Sequence, residues 1–146
     1  MSEPIAPRIV TAAVLLIGDE ILSGRTKDAN LGFIATFLGS MGIQVQEARV
    51  VTDDRDRIAA AVNALRSAYD YVFTTGGIGP THDDITADSV AHAFEVPIGL
   101  HPEAMNILTR HYEETGGEFT KARQRMARIH EGASLVAEHI VVKCSP

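Results

Sequence analysis

Three glycines fall within four residues just after an apolar run at 71–75: Gly76, Gly77 and Gly79, with Thr75 before them and Pro80, His82, Asp83, Asp84 and Thr86 after. Glycines at such a junction let the main chain take positive φ and let a ligand approach backbone N–H groups closely. A helix starting near Thr86 would aim its positive end at the same place, which suits a phosphate. Carboxylates beside a phosphate repel it unless a cation intervenes. Mg2+, with one or two carboxylates and the phosphate oxygens, is the usual solution. Asp83 and Asp84 are adjacent and on a loop point in different directions, so one of the two belongs to the site. The spacing is not a Walker A loop, because no Gly-Lys-Ser/Thr follows, nor the dinucleotide fingerprint, whose third glycine position holds His82. The plain alternative is a tight turn between strand and helix.

A second acidic pair, Asp19 and Glu20, lies in the stretch Gly18-Asp19-Glu20-Ile21-Leu22-Ser23-Gly24, directly after another apolar run. These two are either the other arm of one site or ordinary strand-end charges. Arg25 and Lys27 follow, as contacts for an anion or as solvated loop cations. His82 is able to donate a hydrogen bond or act as a base near neutral pH, although nothing in the sequence orients it. Thr75 and Thr86 offer hydroxyl contacts or helix capping. His101, His111 and His130 have no Cys or His at ligand spacing and read as surface residues. The single cysteine, Cys144, leaves no internal disulfide and no Cys-based zinc site. No serine has a nucleophile-elbow context, so covalent catalysis is not expected.

The elements that must position these groups alternate. Residues 9–17 are apolar almost without break, the pattern of a strand buried on both faces of a parallel sheet. Residues 18–20 end it, and 21–29 read as an irregular loop. A helix follows with Leu31, Ile34, Leu38 and Met41 on one face, capped by Asp28 and stopped by Gly42. The spacing predicts a strand at 43–51, then a helix capped within Thr52-Asp53-Asp54 and carrying Ile58, Val62 and Leu65, then a strand at 71–75. Helices are predicted at 87–94, with Val90 and Phe94 inward, and from Pro102 to about 115, with Met105, Leu108 and Tyr112 inward. A short extended piece at 96–98 separates them, and Thr120 caps a further helix to about 129. Strand and helix alternating in this way imply parallel βαβ units, with ligands at the carboxyl ends of the strands. Both acidic clusters follow strand carboxyl ends, which argues for one shared site.

The 146 residues suffice for one domain with its own core, and 45% apolar with 22% charged residues describes a globular chain. A net charge of −6 without a basic stripe argues against nucleic acid as a partner. Lys121, Arg123, Arg125 and Arg128 would spread round a helix and read as a solvated face. No apolar run approaches the length of a membrane span, and residues 1–7 lack a basic segment followed by an apolar core. A cytoplasmic protein is the expectation.

The run from Thr74 to Thr86, with its Gly-Gly-Ile-Gly-Pro-Thr-His-Asp-Asp, resembles the signature of the molybdenum-cofactor-biosynthesis or molybdopterin-binding domain family. Gly18-Asp19-Glu20-Ile21-Leu22 with Gly24 resembles that family's second motif. Within the family the chain is most similar to the amino-terminal domain of the CinA-type competence/damage-inducible group. The resemblance implies a three-layer α/β/α domain with a mostly parallel sheet over residues 9–135, after a loose start at 1–8. Residues 136–146 depart from the family's usual Asn-Pro loop and Pro-Gly-x-Pro motif, and read as an atypical, truncated tail.

The resemblance also implies roles. Asp84, the aspartate before x-Thr, becomes the functional one, holding metal with Asp19 or Glu20 and assisting chemistry with His82. Gly76, Gly77 and Gly79 would bind phosphate, with Thr75, Thr86, Arg25 and Asn30 adding contacts. The implied cofactor is Mg2+, with molybdopterin as ligand or substrate. The implied function is binding, and phosphoryl or nucleotidyl chemistry, of a phosphorylated pterin in molybdenum cofactor metabolism. A metal-dependent pyrophosphatase on ADP-ribose-like nucleotides and a non-catalytic binding module are the alternatives. A homo-oligomer, dimer or trimer, is expected, with no membrane partner.

Overall fold

A computed structural model describes residues 4–136 and 141–144, the last four as backbone. Strand β1 (Val10–Ile17) lies at the centre of a parallel sheet. The short helix α1 (Asp19–Leu22) and helix α2 (Asn30–Ser40) lead to β2 (Ile43–Val51), and α3 (Arg55–Ala68) leads back to β3 (Tyr71–Thr75). The strand order is β2-β1-β3, parallel throughout. The connection from β1 to β2 and the one from β2 back over β1 to β3 run in opposite directions across the sheet. The right-handed crossover rule therefore places α2 and α3 on opposite faces, giving the three-layer arrangement.

The central position of β1 explains its unbroken apolar sequence: residues 12–17 are at most 1% exposed. Ala13, Leu15 and Ile17 point into a core shared with Ile58, Val62 and Leu65 of α3 and with Val90 and Ala93 of α4 (Thr86–Phe94). Ala12, Val14 and Leu16 alternate to the other face, where α2 packs on β1 and β2. The ladder slips by one residue opposite Ala12 and Ala13, where Gln46 is skipped between Val45 and Glu47.

Beyond α4 a smaller lobe forms from β4 (Ile98–Leu100), α5 (Pro102–Thr115), α6 (Lys121–Gln124), a 3-10 turn (Arg125–Ala127) and β5 (Arg128–His130). β4 and β5 pair antiparallel, and Ala104, Leu108, Ala127 and Ile129 form their own core with Met105, Tyr112 and Phe119 around it. The lobe is joined to α4 by the Arg128–Asp88 ion pair (2.8 Å) and by the edge of one ring against the other in Phe94 and His130. Strands β6 (Ala133–Val136) and β7 (Val141–Cys144) pair antiparallel.

Several expectations change. Residues 19–22 wind into a helical turn rather than a loop; its two acidic residues sit in the first turn, where the helix dipole favours them. The helix foreseen to about 129 stops at Gln124, because Arg128–His130 are needed to pair with β4 and to place Ile129 in the second core. The extended piece foreseen at 96–98 lies at Ile98–Leu100 for the same pairing. His130 is buried against Phe94 rather than on the surface. The cations expected to form a solvated face separate: Arg128 is engaged with Asp88, and Arg123 lies over the Tyr112 ring. In α2 only Leu38 of the expected stripe is fully buried, while Met41 turns outward with the stacked pair Phe33 and Phe37. Within the stretch read as an atypical tail, Val141–Cys144 form β7. No helix among the described residues is long and apolar enough to cross a membrane.

The amino end of the sheet is closed by Asp70. Its carboxylate accepts hydrogen bonds from the N–H (2.9 Å) and hydroxyl (3.1 Å) of Thr11 and pairs with Arg8. The Thr11 N–H first, with its hydroxyl and Arg8, holds the Asp70 carboxyl below the ordinary 3.8 against a burial effect that raises it. A lowered carboxyl contributes stability that is complete above 3.8 and is lost as pH falls through the lowered value. Asp70→Ala therefore lowers the Tm at pH 7, and the gap to wild type narrows as thermal melts are taken to acid pH.

Candidate functional site

The carboxyl ends of all three parallel strands open on one edge, and the loops leaving them converge there. At the end of β3, Gly76 and Gly77 have φ of +95° and +62°, the left-handed region that glycine tolerates. A Cβ on Gly76 would collide with the carbonyl oxygen of Ile17, the last residue of β1, and one on Gly77 would strike the Thr86 hydroxyl. The turn is therefore packed backbone to backbone against the end of β1. Thr86 fastens it from the other side: its hydroxyl donates to the Gly76 carbonyl (2.8 Å) and its N–H to the Gly77 carbonyl (3.1 Å). The Thr86 side chain is thus not a helix cap; Ile85 occupies the cap position.

Asp84 organises the rest of the turn. One carboxylate oxygen accepts from the N–H (2.9 Å) and hydroxyl (2.6 Å) of Thr81, and the carboxylate also accepts from the Gly79 N–H. Gly79 has room for that carboxylate only because it lacks a Cβ, whose position lies 2.7 Å from the oxygen. The Gly79 N–H is therefore engaged within the loop. The N–H groups of Gly77 and Ile78 make no hydrogen bond among the described residues. Burial pushes the Asp84 carboxyl up, but the Thr81 and Gly79 hydrogen bonds and the positive charge of Arg125 outweigh it and leave the pKa below 3.8.

At the end of β1, Asp19 starts α1 and faces the loop after β2. The Asp19 N–H donates to Asp53 (3.1 Å), while Asp19 accepts from the Asp53 N–H (3.2 Å) and from the Thr52 hydroxyl. The Thr52 bond, then the Asp53 N–H and Arg25, hold the Asp19 pKa low against burial. Glu20 folds back over Gly18, its carboxylate 2.5–2.7 Å from where a Cβ would stand. Asp53 has the opposite bias: burial first, and then the charges of Asp19, Glu20 and Asp84, push its pKa above 3.8 although it accepts the Asp19 N–H. Its carboxylate approaches Gly77, 3.5 Å from the place of a Cβ there. Four carboxylates from three loops thus act on one another beside the glycine turn.

The other foreseen residues divide. Asn30, at the first turn of α2, donates from its side-chain amide to the Thr75 hydroxyl (2.7 Å), tying α2 to the end of β3. Asp28 accepts from the N–H groups of Asn30 and Leu31, as its capping role requires. Arg25 bonds Ser23 (3.1 Å) and acts on Asp19 by charge. His82 points to solvent, its side chain 90% exposed and paired with Asp83 at 2.9 Å. Asp53 was hidden in the run Thr52-Asp53-Asp54, which reads as a helix cap. Asp54 alone fills that role, accepting from the Arg57 N–H (2.9 Å), and frees Asp53 for the site. Two aspartates where one can cap is the signal that could have found it.

Among the described residues, no three His, Cys, Asp or Glu side chains are gathered closely enough to chelate an ion unaided. The donor set fits a hard cation that takes one or two carboxylates and completes its shell with ligand phosphate and water, as Mg2+ does. The pKa of Asp53 is raised first by burial and then by the negative charges of Asp19, Glu20 and Asp84, so a cation there would favour its ionised form.

A family model described as "Probable molybdopterin binding domain" matches residues 13–143. The Caenorhabditis elegans protein named "Probable FAD synthase" is 47% identical over 107 residues, 73% of this chain and 21% of that one. A "CinA-like protein" of Citrifermentans bemidjiense is 40% identical over 124 residues, 85% of this chain and 30% of that one. The chain thus spans under a third of these curated relatives. Among solved structures, the CinA protein of Thermoplasma acidophilum matches with a TM-score of 0.82 at 30% identity, covering 93% of this chain and 82% of that one. The tungsten cofactor synthesizing protein MoaB of Pyrococcus furiosus matches at 0.58 and 26% identity, covering 94% and 81%.

Three substitutions test the local physics. Gly76→Ala carries the left-handed penalty of roughly 1–2 kcal/mol and a clash with backbone that cannot turn aside. It should cost well over that and lower the Tm by many degrees, whereas Gly39→Ala, in α2 with open space around it, should gain about 0.5–1 kcal/mol. For Asp53, the folded state keeps its proton to higher pH than the unfolded state, so ionisation costs stability as pH rises from 3.8 through the raised value. Asp53→Asn should therefore raise the Tm of metal-free protein at pH 7, and the gain should shrink toward pH 4 in the same melts.

Proposed function

The chain belongs to the family described as "Probable molybdopterin binding domain", and from that premise we propose that it takes a nucleotide pyrophosphate such as ADP-ribose or FAD with Mg2+ and hydrolyses its pyrophosphate bond. The observation that carries this reading is the convergence of Asp19, Asp53 and Asp84 from three different strand ends on one glycine turn whose Gly77 and Ile78 N–H groups are free to donate. Anionic oxygens and backbone donors side by side suit a phosphate that arrives with its cation. The nucleotide preference rests on the relatives: FAD, in the name of one of them, is two nucleotides joined by a pyrophosphate, and the fold is nearer to a CinA protein than to MoaB.

The carboxylates divide the work by their proton affinities. Asp84, held by Thr81 and Gly79, and Asp19, held by Thr52, are kept ionised and suit the cation. When bound, Mg2+ would neutralise charge developing on the phosphoryl oxygens. Asp53 suits the proton of an attacking water, since a raised pKa brings a carboxylate closer to the range of a useful general base. The Gly77 and Ile78 N–H groups hold a non-bridging phosphate oxygen, and Thr75, fixed by Asn30, borders the same edge. His82, exposed and paired with Asp83, has no part in the step.

A second reading keeps the cradle and changes the ligand to a phosphorylated pterin of the molybdopterin kind, in keeping with the family's description and the likeness to MoaB. Purified chain incubated with Mg2+ and ADP-ribose or FAD should release AMP, measured by chromatography. Release should stop with a chelator and fall on the order of 100-fold or more in Asp84→Asn, the scale of losing one electrostatic contact in a transition state. Binding of molybdopterin without nucleotide hydrolysis would select the pterin reading, and neither would leave a module without turnover.

A further inference from the structure

Arg125 begins the 3-10 turn of the small lobe, far along the chain from every other group at the glycine turn. Its Nε is buried and is the one buried side-chain nitrogen or oxygen without a hydrogen-bond partner among the described residues. The two nearest arginines are engaged. Arg123 lies over the Tyr112 ring (4.9 Å) and donates to the Glu118 carbonyl (2.5 Å), and Arg128 holds Asp88 in a two-pronged pair at 2.8 and 3.1 Å. The backbone of Arg125 is bonded, its N–H to the Ala122 carbonyl and its carbonyl to the Arg128 N–H. Its side chain makes no ion pair or hydrogen bond among the described residues, and its charge acts on Asp84.

The backbone that carries Arg125 is fixed on both sides. Thr120 caps α6, accepting from the Arg123 N–H, and the Ala127 carbonyl accepts from the His101 N–H (2.9 Å) with Ala127 fully buried. A guanidinium held in place with a buried, unanswered N–H is costly unless an acceptor comes to it. Two parallel N–H donors on a planar group match a phosphate in particular.

We propose that Arg125 is an anion-binding residue of the site, reaching from the small lobe to grip a phosphate of the ligand seated at the Gly76–Gly79 turn. The inference rests on the reading of that turn as a phosphate site. It adds a cationic arm from the opposite side, so the ligand is held between the sheet and the small lobe. One phosphate then meets backbone donors and cation at the sheet edge, and the guanidinium takes oxygens that these leave free.

The test is calorimetric binding of inorganic pyrophosphate and of ADP, each with Mg2+, to the whole chain and to Arg125→Gln, Arg125→Lys and Arg123→Gln. Wild type should bind, Arg125→Gln should bind at least 10-fold more weakly, Arg125→Lys should lie between, and Arg123→Gln should stay within twofold of wild type. Because the Arg125 Nε has no partner to lose, Arg125→Gln should keep or raise the Tm without ligand. Wild-type binding that survives Arg125→Gln within twofold overturns the assignment and leaves the turn a phosphate site. Weakened binding with a Tm lowered by more than 5 °C in both Arg125 variants shows a structural role and overturns it too. Absence of binding by folded wild type overturns the reading of the turn and the assignment with it.

Discussion

The backbone of Gly76 lies against the carbonyl of Ile17 with no space for a side chain between them. Much of the molecule follows from that approach. It lets β3 end level with β1 in the parallel ladder, where Leu16 is opposite Thr75. It turns the chain through two left-handed glycines, so that the carbonyls of Gly76 and Gly77 meet the hydroxyl and N–H of Thr86 and set where α4 begins. Helix α4 in turn offers Asp88 to Arg128, which seats the small lobe. A methyl group at residue 76 would therefore disturb the sheet edge, the direction of α4 and the lobe beyond it together.

The acidic groups around this junction are arranged by local hydrogen bonds rather than by counter-ions. Asp19 and Asp53 exchange N–H donors, Asp19 is also held by Thr52, and Asp84 is held by Thr81 and Gly79. Such bonds fix carboxylates as anions without cancelling their mutual repulsion. At Asp53, burial first and then the repulsion of Asp19, Glu20 and Asp84 oppose the ionised form. A cation or ligand proton donor beside it would relieve that opposition.

The sheet was legible because its signals are local. The unbroken apolar stretch of β1, the single-faced spacing of Ile58, Val62 and Leu65, and the glycine triplet after β3 each state their own structure. The two motifs taken as one site are indeed on one edge, and Asn30 and Thr75, 45 residues apart, touch directly. What was hidden depends on distant partners. Arg128–His130 look helical until β4 is there to pair with them, and His130 looks polar and exposed until Phe94 covers it. Asp53 and Arg125 sit in runs of similar residues whose obvious role belongs to a neighbour. In the first case Asp54 is the cap; in the second Arg123 and Arg128 make the pairs. One sequence does not tell identical side chains in a row apart when three-dimensional contacts assign them different work.

The reciprocal bonds between Asp19 and Asp53 span 34 residues and close only when β1, α2 and β2 are all in register. The turn at Gly76 closes only when α3 has returned the chain to the other side of β1. No fragment of the domain therefore contains the site, and an unfolded chain has nothing for a ligand to recognise. Occupancy then favours the native state by mass action, by RT ln(1 + [L]/Kd). A ligand held at this edge would lower the population of open forms that proteases cut.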